Sequence, residues 1–285
     1  MAVERLGVVG GGQMGAGIAE VAAKAGVDVI VREIDQAAAG AGEARITKSL
    51  DRAVSRGKLE EADRDAAIGR IQFTTDLAAM DDREIVIEAV VENEDLKLEI
   101  FASLDQVVEA DDAILASNTS SLPITRLAKA TKRPEHVVGM HFFNPVPVMA
   151  LVEIVSTVLV DDGVRDRASA FAADQLGKTV VHAKDRAGFV VNMLLVPYMT
   201  EAIKMYEQGF ASAEDIDHGM KLGANHPMGP LELADFIGLD TMKFVADVLF
   251  EEFKQPQYAP PPLLTRMVEA GLLGRKTGRG FYTYE

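Results

Sequence analysis

A glycine-rich stretch near the N-terminus constrains the fold more than any other feature of the sequence. Residues 6–15 read LGVVGGGQMG, a β-branched run that leads into the spacing Gly-x-Gly-x-x-Gly. Gly10 permits a tight turn, Gly12 lets the backbone approach a pyrophosphate, and Gly15 lets a helix pack closely on the strand. With a predicted helix over Met14–Ala25, the pattern is typical of a βαβ unit that binds a dinucleotide.

An acidic residue follows this loop at the distance expected for a ribose ligand. Gln13 and Met14 stand at the helix N-terminus, where backbone N–H groups and the helix dipole favour phosphate. The second predicted strand ends at Glu33, 18 residues after Gly15. A carboxylate there accepts hydrogen bonds from the ribose hydroxyls and repels a 2′-phosphate, which favours NAD over NADP. The adjacent Arg32 weakens this preference slightly.

Short apolar runs alternate with helical patterns over the first two-thirds of the chain. Such alternation, with near-continuous apolar strands, predicts a mainly parallel sheet covered by helices on both faces. The predicted strands are Leu6–Val9, Val27–Val31, Ile71–Thr74, Ile85–Ala89, Ile114–Ser117, Val137–Phe142, Val152–Val155 and Thr179–Ala183. The predicted helices between them include Met14–Ala25, Ala44–Val54, Asp95–Val108 and Val164–Leu176.

The pattern changes after about Asp185, where helical periodicity replaces strand signals. The expected architecture is therefore α/β: a Rossmann-like, mostly parallel sheet domain over 1–186, followed by an all-α domain over 187–285. The apolar helix faces exceed what a domain of that size buries by itself, so we expect a homodimer formed through the C-terminal domain. The predicted helices of this domain are Phe189–Gln208, Ser212–Leu222, Leu231–Ile237, Asp240–Glu252 and Pro262–Ala270.

The overall composition narrows the classes of partner and compartment. The formal net charge of −15 argues against nucleic acid or an anionic membrane as the main partner. The absence of cysteine excludes disulfides and thiolate chemistry, and we predict no metal. No apolar run reaches the length of about 20 residues that a membrane span needs. Because the N-terminal apolar residues belong to the first strand rather than to a signal peptide, we expect a cytoplasmic protein.

Polar side chains cluster directly after the strand Ile114–Ser117. Residues 117–121 read SNTSS, a row of hydrogen-bonding side chains that includes Asn118 and Ser120. Ligands of open α/β sheets bind beyond the carboxyl ends of the strands, so this row is a candidate site. The alternative is a capping cluster for the helix that begins near Pro123, and we expect Ser121 to serve as its N-cap.

His141 lies at the carboxyl end of another predicted strand and has a candidate partner. Glu153 follows 12 residues later, inside the apolar run Leu151–Val155. A carboxylate in a buried strand must be paired, and the turn Asn144–Pro147 allows the two strands to lie side by side. A histidine hydrogen-bonded to a carboxylate is oriented and more basic, as a general base requires. A structural buried ion pair is the alternative.

Two further features bear on a substrate. Asn192 is the one strongly polar side chain in the apolar helical stretch over 189–198, where it could donate to a substrate oxygen or be an ordinary helix residue. A basic face, spaced by three or four residues, is predicted on a helix within 41–58, where it could bind phosphates or form a solvated surface. Its members are Arg45, Lys48, Arg52 and Arg56, followed by Lys58.

Taken together, these motifs resemble the short-chain 3-hydroxyacyl-CoA dehydrogenase family, close to the bacterial 3-hydroxybutyryl-CoA dehydrogenases. The resemblance covers almost the whole chain in the family's order and spacing. The matching segments are Val8–Gly17, Ile87–Asn93, Ala116–Leu122, His141–Met149, Gly188–Asn192, Gly223–Pro230 and Gly274–Tyr282.

The resemblance implies a role for each site residue. His141 and Glu153 correspond to the family's catalytic pair, and Ser120 and Asn192 to the donors that hold the substrate oxygens. It also implies NAD as the cofactor and an acyl-CoA as the substrate, with Lys48, Arg52 and Lys58 as candidate contacts to CoA. The implied cofactor contacts are Gly10, Gly12, Gln13, Met14, Gly15, Glu33, Glu92, Lys97, Asn118 and Asn144.

Two other functions stay open at this point. One is a related two-domain dehydrogenase that acts on a free hydroxy acid or a sugar acid, which would not need the basic helix face. The other is a non-catalytic NAD-binding protein, which would not need a histidine–carboxylate pair. The residues present favour the acyl-CoA dehydrogenase over both.

Overall fold

In the computed structural model, which describes residues 2–284, the chain divides into two compact units. The boundary falls between Arg186 and Ala187. Each unit has its own cluster of buried apolar side chains. Along residues 2–284, no helix combines the length and the apolar composition needed to cross a membrane.

The first unit is built on a sheet whose strand order is β3-β2-β1-β4-β5-β6-β7-β8. All neighbouring pairs are parallel except β6 and β7, which are antiparallel. The mostly parallel sheet predicted from the apolar runs is thus confirmed. The strands are β1 Arg5–Val9, β2 Asp28–Arg32, β3 Ile71–Thr74, β4 Ile85–Glu88, β5 Ile114–Ser117, β6 Val137–Phe142, β7 Leu151–Ser156 and β8 Thr179–Lys184.

The burial of the central strands explains why their sequences are near-continuous apolar runs. Every residue of β4, β5 and β6 is buried, because helices cover both faces of the sheet. Two of these strands end in a buried polar residue, Glu88 in β4 and Ser117 in β5. The carboxyl edge of the sheet therefore carries the polar groups, while the strand interiors form the core.

Helices and short helical turns connect the strands. The α-helices of the first unit are α1 Gln13–Lys24, α2 Gln36–Ser55, α3 Glu61–Gly69, α4 Glu94–Val107, α5 Ile124–Lys129 and α6 Asp162–Ala170. The segment Phe171–Gln175 continues α6 as a π-helical turn, and Leu77–Met80 and Pro134–His136 are 3₁₀ turns.

Helix α2 begins eight residues before the start predicted at Ala44, so that boundary was wrong. The Asp35 carboxylate caps the helix by accepting a hydrogen bond of 2.7 Å from the Ala38 backbone N–H. Gly42 lowers the helical signal in the sequence, yet a Cβ atom there would come within 3.1 Å of the Gly11 carbonyl oxygen. The glycine lets the helix pack closely on the phosphate loop and on the Phe73 ring.

The second unit is helical, as predicted. Its α-helices are α7 Val191–Glu207, α8 Ala213–His218, α9 Pro230–Ile237, α10 Leu239–Phe253 and α11 Pro262–Glu269. A π-helical turn, Gly219–Gly223, extends α8, and Pro256–Tyr258 and Arg275–Thr277 are 3₁₀ turns. Isolated bridges join Gly274 to Arg279 and Arg279 to Thr283 in the C-terminal tail.

Two buried aspartates organise the second unit. Asp217 accepts hydrogen bonds from the backbone N–H groups of Leu231 and Glu232, each at 2.8 Å, at the start of α9. The Tyr282 hydroxyl also donates to Asp217, at 2.8 Å. The carboxylate therefore joins a helix N-terminus to the C-terminal tail.

Asp235, which lies in α9, holds the C-terminal tail in a similar way. Its carboxylate accepts from the N–H groups of Phe281 and Tyr282 at 3.0 and 2.9 Å and from the Tyr284 hydroxyl at 3.0 Å. Burial raises the pKa of Asp235, although these hydrogen bonds oppose the shift. Burial, followed by the bond to Asp235, raises the pKa of Tyr284 to about 12. The tail is thus tied down by hydrogen bonds to a largely water-excluded carboxylate.

Candidate active site

The glycine loop has the geometry of a phosphate cradle. Gly10 has a φ of +100°, a conformation that favours glycine. A Cβ atom on Gly15 would overlap the Gly10 carbonyl oxygen, so the start of α1 packs against the turn without a side chain. A Cβ atom on Gly12 would meet nothing within 4 Å, so the loop is open where α1 begins at Gln13. The Met14 side chain is partly buried and packs against the hydrophobic core of the first unit.

Glu33 is held in place beside this loop. One carboxylate oxygen accepts from the Gly11 N–H at 2.5 Å and the other from the Ile34 N–H at 3.0 Å. The Arg32 guanidinium turns toward the neighbouring strand and donates to the Thr75 carbonyl at 3.3 Å. The acid at the end of β2 and the open glycine loop fit the ribose and pyrophosphate of a dinucleotide.

His141 and Glu153 stand directly opposite each other on β6 and β7. The distance from His141 Nδ1 to Glu153 Oε2 is 2.7 Å. The histidine is 6% exposed and the glutamate 0%, so the pair is shielded from water. The Phe143 ring lies 4.5 Å from the imidazole, centroid to centroid. With Nδ1 donating to the carboxylate, the basic lone pair of the neutral ring is on Nε2.

The Ser-rich segment after β5 is joined to its neighbours on both sides. The Asn118 side-chain oxygen accepts from the Phe142 N–H at 2.9 Å, which ties it to the strand end beside His141. The Asn118 N–H donates to the Glu88 carbonyl at 2.8 Å, which ties it to β4. Ser120, two residues on, is half-buried. The structure thus brings Asn118 to the strand end that carries His141.

Ser121 does not cap α5, so that prediction was wrong. Its hydroxyl donates to Glu92 at 3.0 Å, because the carboxylate lies across the loop from it. The Asp185 carboxylate caps the helix instead, accepting from the N–H groups of Ile124 and Thr125 at 2.8 and 2.7 Å. Asp185 is 60 residues from Thr125, and no local pattern in the sequence indicates this cap.

Glu92 and Lys97 belong to a buried polar cluster that also contains Glu88. The Lys97 ammonium lies 2.6 Å from Glu88 Oε1 and 3.2 Å from Glu92 Oε2. The hydroxyl of Thr119 also donates to Glu92. Sequence reasoning missed Glu88, although the signal was the one that singled out Glu153: a carboxylate inside an apolar strand.

The turn that follows β6 is held to the rest of the first unit. Asn144 Oδ1 accepts from Gln13 Nε2 at 2.8 Å, which joins the turn to the start of α1. The Lys178 ammonium donates to the carbonyls of Val146 and Met149 at 2.6 and 2.8 Å. Asn144 is thereby placed next to the phosphate loop, at the same sheet edge as His141.

The predicted basic face lies on α2 and the loop that follows it. The Arg45 guanidinium donates to the Gly11 carbonyl at 2.8 Å, so this face begins at the phosphate loop. Lys48, Arg52, Arg56 and Lys58 are exposed, and no ion pair is found for them within residues 2–284. Asn192 is the second residue of α7, in the second unit, and is half-buried.

These features define the class of protein. A dinucleotide cradle at the end of β1 and a buried histidine–carboxylate pair at the end of β6 share one edge of a mostly parallel sheet. This arrangement is that of a dinucleotide-dependent dehydrogenase.

Comparison with known proteins identifies the family. The model of the 3-hydroxyacyl-CoA dehydrogenase NAD binding domain matches residues 5–186, and that of the C-terminal domain matches residues 188–284. The chain is 60% identical to a 3-hydroxybutyryl-CoA dehydrogenase of Mycobacterium tuberculosis over 283 residues, 99% of each chain. It belongs to the 3-hydroxyacyl-CoA dehydrogenase family and is an NAD-dependent oxidoreductase.

Solved structures agree with this assignment. The crystal structure of M. tuberculosis FadB2 superimposes with a TM-score of 0.99 at 60% identity, covering 100% of both chains. That of (S)-3-hydroxybutyryl-CoA dehydrogenase from Ralstonia eutropha superimposes with a TM-score of 0.95 at 48% identity, again over 100% of both chains.

Proposed function

We propose that the chain oxidises (S)-3-hydroxyacyl-CoA to 3-oxoacyl-CoA with NAD and catalyses the reverse reduction. The preferred substrates are short, 3-hydroxybutyryl-CoA in one direction and acetoacetyl-CoA in the other. The observation that carries the proposal is the His141–Glu153 pair, buried at the sheet edge that also holds the glycine loop. Relatives whose names specify 3-hydroxybutyryl-CoA support the short chain length.

In this proposal His141 is the general base. Its Nδ1 donates to Glu153, so Nε2 accepts the proton of the C3 hydroxyl during oxidation. The adjacent carboxylate stabilises the imidazolium that forms, because a charge developing in a water-excluded site needs a close partner of opposite sign. In the reduction, the same imidazolium returns the proton to the developing alkoxide. The bound cofactor would accept the hydride as NAD⁺ in the oxidation and supply it as NADH in the reduction.

Other residues bind and orient the two ligands. The proposed cofactor contacts are Glu33 for the ribose, the α1 N-terminus for the pyrophosphate, and Glu92, Lys97, Asn118 and Asn144 farther along the sheet edge. Ser120 and Asn192 donate to the substrate oxygens, by resemblance to the family. Lys48, Arg52 and Lys58 bind the phosphates of CoA. Their exposure supports this role, as does the contact of α2, which carries Lys48 and Arg52, with the phosphate loop.

The proposal is tested by mixing the protein with NADH and acetoacetyl-CoA and following the loss of NADH absorbance. We expect rapid turnover with the CoA ester and little with free acetoacetate. Folded protein that binds NADH but does not turn over acetoacetyl-CoA would contradict the proposal. Turnover of free hydroxy acids or sugar acids at comparable kcat/KM would favour the related dehydrogenase instead.

We also propose a cytoplasmic homodimer that forms through the second unit. Several apolar side chains of this unit are exposed, which a partner surface would cover; they include Leu194, Phe210, Leu222 and Phe236. The 30.7 kDa chain should then elute and scatter light as a species of twice its mass. A monomer over the micromolar range would contradict this part of the proposal.

A further inference from the structure

The strand order indicates where the reactive ring of a bound NAD would lie. Glu33 directly follows β2, the glycine loop follows β1, and His141 is the penultimate residue of β6. The strands β4 and β5 lie between β1 and β6. Three inter-strand spacings of about 4.8 Å separate the pyrophosphate site from the base. Hydride must pass between the ring and the carbon whose hydroxyl meets His141. A nicotinamide ring bound between these two sites would therefore meet the ends of β4 and β5, where residues 89–93 and 117–122 form the loops.

The buried cluster at this place carries more negative than positive charge. It contains two carboxylates, Glu88 and Glu92, and one ammonium, that of Lys97, which gives a net charge of −1. The side chains of Glu88 and Lys97 are 0% and 1% exposed, whereas that of Glu92 is 24% exposed. The nearby Glu94 is compensated by Arg126 at 2.8 Å. The uncompensated charge is thus presented to the ligand side by Glu92.

Glu88 competes with Glu92 for the single positive charge of Lys97. Its Oε1 accepts from Lys97 at 2.6 Å and from the Val90 N–H at 2.7 Å, and its Oε2 accepts from the Ser117 hydroxyl at 2.6 Å. These bonds fix the Glu88 carboxylate at the end of β4 and place the ammonium closer to it than to Glu92. Without the Glu88 charge, the Lys97 charge would be balanced by Glu92 alone.

We propose that Glu88 and Lys97 set the charge that Glu92 presents to the nicotinamide and thereby the preference of the site for the oxidised over the reduced cofactor. This inference rests on the proposed function, because it requires the ring to bind beside Glu92. The ring is cationic in NAD⁺ and neutral in NADH, so a net negative cluster stabilises the oxidised form selectively. Glu88 is a positioning residue that acts through Lys97.

The measurement is the ratio of two dissociation constants, that of NADH divided by that of NAD⁺, for the full-length protein. Glu88→Gln and Glu92→Gln each make the cluster neutral, and we expect each to lower the ratio about tenfold. Lys97→Met makes the net charge −2 and should raise the ratio. The double variant Glu88→Gln/Lys97→Met restores a net charge of −1 and should return the ratio to near the wild-type value.

The ratio separates this role from a structural one. A distorted loop weakens both cofactor forms together and leaves the ratio unchanged, which would overturn the inference. A ratio that falls in Glu88→Gln and does not recover in the double variant would also overturn it. Should Lys97→Met fail to fold, Glu88→Gln and Glu92→Gln still decide, because both keep Lys97 and each must lower the ratio. Glu99→Gln is the control: it removes an exposed acid from α4, the helix that carries Lys97, and should leave the ratio unaltered.

The controls also separate the inference from the proposed function. If wild-type protein fails to bind NADH or to reduce acetoacetyl-CoA, the proposed function fails. Suppose instead that the wild type binds NADH and reduces acetoacetyl-CoA, while the three single variants of the cluster and the double variant all keep the wild-type ratio. In that case only the charge inference fails.

Discussion

Buried carboxylates occur in both units of the molecule, but their partners differ. In the first unit, Glu88 and Glu153 pair with the ionisable side chains of Lys97 and His141. In the second unit, Asp217 and Asp235 accept mainly from backbone N–H groups and tyrosine hydroxyls. The same costly group, a carboxylate removed from water, is thus compensated by two kinds of donor.

The difference indicates what each carboxylate does. A histidine or lysine partner lets charge and protons be shared at the carboxyl edge of the sheet, and in the proposed function these pairs serve chemistry and cofactor binding. Backbone partners have no such freedom, so Asp217 and Asp235 hold a helix start and the C-terminal tail. We therefore expect changes in the first group to alter kinetics and changes in the second to alter stability.

The largest expected effect follows from replacing the proposed base. His141→Gln retains a donor for Glu153 but cannot accept a proton, so kcat should fall about a thousandfold. NADH affinity should stay near the wild-type value, as measured by fluorescence titration. The control is His182→Gln, which changes an exposed histidine of the same unit and should leave kcat at the wild-type value. An unchanged kcat in His141→Gln would refute the base assignment.

The next effect concerns the tail of the second unit. Asp235→Asn leaves the side-chain volume intact but puts an N–H₂ group against buried donors, so the free energy of unfolding should fall by about 2 kcal/mol. Urea denaturation measures this loss, and kcat should change little in the native enzyme. Asp247→Asn, on the exposed face of α10, should cost well under about 1 kcal/mol. Equal losses in the two variants would remove the distinction drawn for Asp235.

A smaller effect is expected from the basic face of α2. Arg52→Glu reverses one exposed charge, and the KM for acetoacetyl-CoA should rise about tenfold because the CoA phosphates are repelled. The KM for an acetoacetyl-pantetheine analogue without the nucleotide should be little affected. Lys129→Glu makes the same charge change on α5 and serves as the control. Equal effects on both substrates would show that Arg52 does not contact the phosphates.

The smallest effect is an alkaline loss of stability in the second unit. The pKa of Tyr284 is raised from 10.0 to about 12, first by burial and then by Asp235, so the folded state keeps this proton longer than the unfolded state. The resulting stabilisation is complete below pH 10.0 and is lost as the pH rises toward about 12. Tyr284→Phe should flatten the decline in the urea midpoint over this range. A decline of the same slope in the variant would contradict this linkage.

Local sequence patterns were sufficient where one element determines its own structure. The strands β4, β5 and β6 were predictable because burial on both faces requires near-continuous apolar runs. The glycine loop was predictable because its backbone conformation and close packing exclude side chains at fixed spacings. Helix α2 shows the limit: Gly42 weakens its helical pattern, and only the close packing of the helix against the Phe73 ring and the phosphate loop explains the glycine.

Contacts across the fold decided the rest. The partner of Glu153 could be inferred from the turn that follows His141, because an antiparallel neighbour returns the chain alongside the strand. Nothing in the sequence near Ser121 shows that its hydroxyl donates a hydrogen bond to Glu92. Nor does the local sequence show that Asp185 caps α5 from 60 residues away.

The sequence by itself determined the α/β architecture, the dinucleotide loop and the pairing of His141 with Glu153. These depend on periodicity, glycine spacing and the cost of placing a carboxylate in an apolar strand. Only the tertiary structure joined Glu88, Lys97 and Glu92 into one charged cluster, because the end of β4, its loop and α4 meet in space. Net charge at a site is a sum over such neighbours, and their distances are a property of the packed fold.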